Sequence, residues 1–101
     1  LIERLYTGDG NDVLIGNSAA NSIWGGRGND AMSGGAGADR FLFGRNAGND
    51  SITDFASDDK IVMRDGTWCR SLAGNVATLS DGGTITAANG YAWKTTDFIF
   101  G

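Results

Sequence analysis

Proline and histidine are both missing from this 101-residue chain, and cysteine occurs once. Without proline, no X-Pro bond can slow folding by isomerisation. Without histidine, the ordinary acid–base dyads and imidazole metal sites are excluded. Cys69 has no second thiol to pair with, so disulfide cross-links do not hold the chain; it reads as a small, partly buried apolar residue rather than a nucleophile. Long apolar runs are also lacking, so no segment is expected to span a bilayer, and no signal peptide is visible. Positive charge is sparse and scattered: eight Lys and Arg stand against twelve Asp and Glu, for a net charge of −4. That balance argues against nucleic acid or an anionic membrane as a partner.

What the chain does have is glycine, 17 residues in all, eleven of them between Gly8 and Gly48. They recur with a period. Gly25-Gly26-Arg27-Gly28-Asn29-Asp30-Ala31-Met32-Ser33 runs directly into Gly34-Gly35-Ala36-Gly37-Ala38-Asp39-Arg40-Phe41-Leu42. Both fit G-G-x-G-x-D-x-U-x, with U a large apolar residue. Gly16–Trp24 is a degenerate copy with Asn21 at the aspartate position, and Thr7–Ile15 is nearly full. After Phe43-Gly44, which look like a two-residue insertion, Arg45–Thr53 recovers the second half of the motif. The eighth positions are thus Leu14, Ile23, Met32, Phe41 and Ile52; the aspartate positions are Asp12, Asn21, Asp30, Asp39 and Asp50. A glycine-rich acidic linker would not place a large apolar residue every nine positions.

Geometry explains the residue types. Six residues form a tight turn and three a very short strand, so two nonapeptides complete one coil of an all-β, right-handed parallel β-roll. Alternation in the strand sends the U side chain inward. Glycine serves where the turn takes φ > 0 or approaches an ion closely. The aspartate projects a hard oxygen between stacked turns, and calcium, which accepts six to eight oxygens including backbone carbonyls, suits such a site better than magnesium. Alternate repeats lie on one side, so ligands pair at i and i+18: Asp12 with Asp30, Asp30 with Asp50 if the insertion bulges out, and Asn21 with Asp39 in a weaker site. Asp39 pairs again with an acid from Asp54–Asp59. The candidate metal-binding set is Thr7, Asp9, Gly10, Asp12, Asn21, Gly25, Arg27, Gly28, Asp30, Gly34, Ala36, Gly37, Asp39, Asn46, Gly48, Asp50, Asp54 and Asp59, holding two to four calcium ions.

At this length one structural unit is expected. Residues 1–62 would form the roll, with Leu1–Tyr6 as a lead-in strand and Ile61-Val62 as a strand closing the open end. Residues 63–101 would form a C-terminal antiparallel β cap, with Asn75–Ser80 and Thr84–Ala88 flanking a turn at Asp81-Gly82-Gly83. Trp68, Trp93, Tyr91, Phe98 and Phe100 read as cap core. Trp24, at an outward ninth position, packs under the cap or is exposed. The chain begins mid-pattern and looks like an excised C-terminal piece.

The nonapeptide pair, with Thr53-Asp54-Phe55 and Asp59-Lys60-Ile61, resembles the RTX (repeats-in-toxin) calcium-binding domain at the C-terminal end of serralysin-type secreted metalloproteases. The ending Thr96-Asp97-Phe98-Ile99-Phe100-Gly101 also looks like the end of such proteins, where an acid precedes several apolar residues. The resemblance implies a secreted, extracellular, monomeric, non-catalytic module that folds on calcium and engages type I secretion machinery through its C-terminal end. Magnitudes agree. Eleven glycines cost roughly 5–11 kcal/mol relative to alanine, comparable to a typical domain stability of about 5–15 kcal/mol. Each calcium site filled at about 100 times its dissociation constant returns about 2.7 kcal/mol. The alternative is a calcium-dependent module that binds a polysaccharide such as alginate, with Trp24 or Tyr91 stacking on sugar rings and Arg27, Arg40 and Arg45 as the only cations for a basic groove.

Overall fold

The computed structural model describes residues 2–6, 10–16, 20–35, 37–44, 48–64, 66–80 and 82–100. The chain winds back and forth between two sheets. Strands β1 (Ile2–Tyr6), β3 (Ala20–Trp24), β5 (Arg40–Phe43) and β7 (Lys60–Met63) lie side by side in one; β2 (Val13–Ile15), β4 (Ala31–Ser33) and β6 (Asn49–Ile52) lie side by side in the other. All of these neighbours pair in parallel. The short strands follow from the period of nine, since a turn consumes most of each repeat. Each eighth-position residue faces inward and is buried: Leu14, Ile23, Met32, Phe41 and Ile52 line the space between the sheets.

Register records the insertion. Val13 pairs with Ala31 and Ser22 with Arg40, both 18 apart, whereas Ala31 pairs with Ser51 and Arg40 with Lys60, both 20 apart. The two extra residues do not bulge outward, however. Phe43 extends β5, pairs with Met63 and is buried in the core. Its large apolar side chain stabilises the fold far more inside than in solvent, so the insertion lengthens a strand while the turns on either side stay stacked.

Residues 54–62 form another full turn and strand, with Asp59 nine residues after Asp50 and Ile61 nine after Ile52. β7 is therefore an interior strand and not the closing one. The closing strands are β11 (Phe98–Phe100), parallel to β7, and β10 (Thr84–Ala87), parallel to β6. β10 continues antiparallel into β9 (Val76–Leu79) and β8 (Cys69–Ala73), the hairpin foreseen around Gly82-Gly83. The sheet orders are thus β1-β3-β5-β7-β11 and β2-β4-β6-β10-β9-β8.

An aromatic cluster joins the cap to the roll. Phe55 packs edge-on against Tyr91 at 4.9 Å and Trp93 at 4.6 Å, with Phe41 at 6.1 Å. The buried Trp93 indole donates to the carbonyls of Asn75 and Ile85 at 2.8 and 3.2 Å, as a buried indole N–H requires. Trp68 departs from the cap-core expectation: it is 51% exposed.

Candidate metal centre

The aspartates stack into two ladders, one along each flank of the roll. On the first, the Asp12 backbone N–H donates to Asp30 Oδ1 at 2.9 Å, and the Asp30 N–H to Asp50 Oδ1 at 2.8 Å. On the second, the Asn21 N–H donates to Asp39 Oδ1 at 2.9 Å, and the Asp39 N–H to Asp59 Oδ1 at 2.8 Å. Each carboxylate thus reaches back one full coil, and the expected pairs Asp12–Asp30, Asp30–Asp50 and Asn21–Asp39 are brought together. Thr7, Asp9, Ala36 and Asn46 of the expected set lie outside the described residues.

One oxygen of each carboxylate is spent on the coil before it. The other, in the two complete nonapeptides, is bare: Asp30 Oδ2 and Asp39 Oδ2 are buried with no hydrogen-bond partner. Leaving a buried carboxylate oxygen unsatisfied costs about 1–3 kcal/mol or more. Each folds back over the first glycine of its own turn, so that a Cβ on Gly25 or Gly34 would collide with it. The first glycine of the motif is therefore required by the aspartate of the same repeat. The fourth is required by stacking: Gly28 has φ +106°, and a Cβ there would strike the Gly10 carbonyl one coil earlier. Gly48 repeats this geometry against Gly28.

Burial pushes the Asp30 carboxyl above the ordinary carboxylate range, and the Asp12 charge adds to it against the opposing hydrogen bond from the Asp12 backbone. Burial does the same to Asp39, with smaller contributions from Asp54 and Asp58, and to Asp59, with contributions from Asp39 and Asp58. Asp50 is pushed up to about 7, first by burial and then by the charge of Asp30. Four desolvated carboxyls in two files form a site that disfavours its own negative charge. A cation would relieve that penalty, and the bare oxygens face the turns that would hold it. Among the described residues no three Asp, Glu, Cys or His side chains converge. An ion here would accordingly draw most of its oxygens from backbone carbonyls, which calcium accepts readily. The residues fit calcium.

Two acids of the expected set close turns. Asp54 accepts from the backbone N–H groups of Gly34 and Gly35 at 3.0 and 2.8 Å and from Ser33 Oγ at 2.9 Å, so both its oxygens serve a turn. Asp59 Oδ2 accepts from the Ala56 N–H at 2.9 Å and closes its own turn. Arg27 is exposed on a flank and Arg40 on the outward face of β5, so they share no groove.

A third ladder escaped the sequence reading. The Asn29 N–H donates to Asn11 Oδ1 at 2.8 Å, the Asn49 N–H to Asn29 Oδ1 at 2.9 Å, and Thr84 Oγ1 to Asn49 Oδ1 at 3.1 Å. Its signal was the triplet Gly-Asn-Asp at 10–12, 28–30 and 48–50. The opposite flank has Ala20, Ala38 and Asp58 at that position, and no such ladder among the described residues.

A family model for the RTX calcium-binding nonapeptide repeat, in four copies, matches residues 6–41 and 46–66. The chain belongs to the RTX family. The match spans more than half of the sequence and includes both acidic ladders. RTX repeats bind calcium, and the buried aspartate ladders of this RTX chain are consistent with that. A search of curated proteins gave no match. Among the described residues no helix is long and apolar enough to cross a membrane.

Proposed function

We propose that this chain is a non-catalytic, calcium-operated folding module of a larger secreted protein, unfolded where calcium is scarce and folded outside the cell. The observation that carries this reading is the pair of buried, unpartnered carboxylate oxygens on Asp30 and Asp39. Two such oxygens on opposite flanks support at least two ions. When bound, calcium supplies the positive charge that lets stacked carboxylates stay ionised. Asp30 and Asp39 would hold it with turn carbonyls, while their Oδ1 atoms keep consecutive coils in register. Asn21 Nδ2 donates to the Gly34 carbonyl and to Asp39 Oδ1, at 2.9 and 3.1 Å, and with a neutral amide in place of a carboxylate the Asn21–Asp39 site would be the weaker one.

The C-terminal residues support an export role. Asp97 is buried, accepting from Tyr91 Oη at 3.1 Å and the Lys94 N–H at 2.9 Å, and Phe98–Phe100 form β11 against β7. A secretion system could read that segment only in the unfolded chain, which is the state expected before calcium is met. A serralysin-like parent fits the resemblance. Circular dichroism against calcium tests the reading: β structure should appear on calcium addition and vanish in chelator, and full β structure in excess chelator would refute it.

One observation favours polysaccharide binding as a second reading. Arg40 and Lys60 are register partners on the outward face of the odd-numbered sheet. The rings proposed for sugar stacking are engaged elsewhere, Trp24 beneath the Arg64 guanidinium at 5.2 Å and Tyr91 in the aromatic cluster. Saturable amide shifts at Arg40 and Lys60 on adding alginate oligomers would establish it; their absence would remove it.

A further inference from the structure

Away from the acidic ladders, a cavity of about 500 Å³ opens between β8 and β11, the last strands of the two sheets. That volume lies within the range of small-molecule sites, roughly 300–1,000 Å³. Its apolar wall is made by Met63 and Phe98 on one side and by Trp68 and Leu72 on the other. Among the described residues the polar groups in the lining are Arg70, Ser71 and Thr95, and Arg70 is the charged one.

The wall contributed by β8 is irregular in a telling way. Cys69 pairs with Leu79 and Ser71 with Thr78, so the register slips and Arg70 has no partner across the ladder. This is a β-bulge, a device that re-aims side chains at the edge of a sheet. Its effect is visible in the core: Cys69 and Leu72, three residues apart, both pack against it, although an unbroken strand would send them to opposite faces. Arg70 and Ser71, the residues at the slip, both line the cavity. Beside it stands Trp68, half in water. Apolar surface of that size at a concave mouth is what an apolar ligand would cover.

We propose that this cleft binds a small amphiphilic carboxylate, with its apolar body between Trp68, Leu72, Met63 and Phe98 and its head on Arg70. Three features select that chemistry. The apolar walls reject a fully hydrated ion. Among the described residues the lining offers a cation no acid and an anion one arginine. The planar guanidinium matches a carboxylate with two parallel hydrogen bonds, and Ser71 and Thr95 add polar groups to the same lining. The site is distinct from the calcium ladders and does not depend on them except through the fold.

The test is a titration of the isotope-labelled, folded chain with decanoate below its micellar concentration, followed by amide chemical shifts. Saturable shifts are expected at Cys69–Leu72 and Phe98. Decanol and decyltrimethylammonium, with the same tail but no anion, should bind about 10–100-fold more weakly, the size of a charge-assisted hydrogen-bond contribution. Arg70→Ala, a change at an exposed position, should erase the preference for decanoate over decanol. Leu72→Lys should abolish binding of both while leaving the shifts of the roll in place. Shifts that do not saturate, or that centre on another face, would overturn the proposal. So would equal binding of decanoate and decyltrimethylammonium, or a preference that survives Arg70→Ala. Because only the folded chain is titrated, these outcomes do not depend on whether calcium is what folds it.

Discussion

Asp30→Asn separates the calcium account from a purely architectural one, because its effect should change sign with the metal. In the calcium-loaded chain the substitution removes an anionic ligand, and a site held at about 100 times its dissociation constant is worth about 2.7 kcal/mol. For a domain of this size 1 kcal/mol moves the melting temperature by roughly 4–8 °C, so a fall of about 10–20 °C is expected, with a reduced calcium stoichiometry by calorimetry. In calcium-free buffer the sign reverses. Asp30 is buried, its Oδ2 is bare, and burial already disfavours its charge. An amide keeps an oxygen for the Asp12 N–H and removes the charge, so the metal-free chain should fold more easily. The readout is the osmolyte concentration needed to induce β structure in calcium-free buffer, which should fall for the variant. If Asp30→Asn were destabilising by the same amount with and without calcium, the ladder would be a hydrogen-bonded scaffold and the reasoning would be wrong.

Acidity should act on the metal-free chain in the same direction. The Asp50 carboxyl is raised from 3.8 to about 7, so the stabilisation from its protonated form is complete below about pH 4 and is lost as pH rises through about 7; circular dichroism in calcium-free buffer should show more structure at pH 5 than at pH 8, and the reverse order would count against the ladder. Gly28→Ala should cost about 1–3 kcal/mol in backbone strain plus the collision with the Gly10 carbonyl. Gly10→Ala, with similar φ but open space around it, should cost the strain alone, and equal losses in thermal melts would show that coil stacking is looser than described. Asp54→Ala should lose about 1–3 kcal/mol by orphaning the Gly34 and Gly35 N–H groups yet leave calcium stoichiometry unchanged; loss of an ion would make Asp54 a ligand.

Much of this was legible in the sequence because a solenoid writes its core as a period. Leu14, Ile23, Met32 and Phe41 could be picked out by counting nines and Asp12–Asp30 and Asn21–Asp39 by counting eighteens, with Ile52 and Asp50 following once two inserted residues are allowed for. Counting failed where other forces set the structure. Phe43-Gly44 interrupted the count and looked like a bulge, but the burial of a phenylalanine outweighs the looseness of a loop. Asp54–Val62 hid a further repeat because Asp54 and Phe55 stand where the motif has two glycines; Asp59 and Ile61 still kept step. The hairpin was visible from its turn, but the parallel docking of β10 on β6 was not, since it joins residues 35 apart that share no sequence period. The exposure of Trp68 follows from a bulge that no local pattern announces.

The two ends of the roll are stabilised differently, and that difference bears on the order of folding. Among the described residues the early coils contribute one buried apolar residue per repeat: Leu14, Ile23 and Met32. The late coils and the cap contribute Phe41, Phe43, Phe55, Met63 and Trp93, with aromatic centroids 4.6–6.1 Å apart. Full burial of such a side chain stabilises by roughly 1.5–3 kcal/mol, and edge-on aromatic pairs add about 0.5–1.5 kcal/mol. In a solenoid, where each coil contacts only its neighbours, stability is a sum of local terms and structure spreads from its strongest segment. By that rule the C-terminal segment is the expected nucleus, with the glycine-rich coils before it stacking on the edge it presents. A chain led out of the cell by its C-terminal end would thus emerge with its most self-sufficient coils first and its most calcium-dependent coils last.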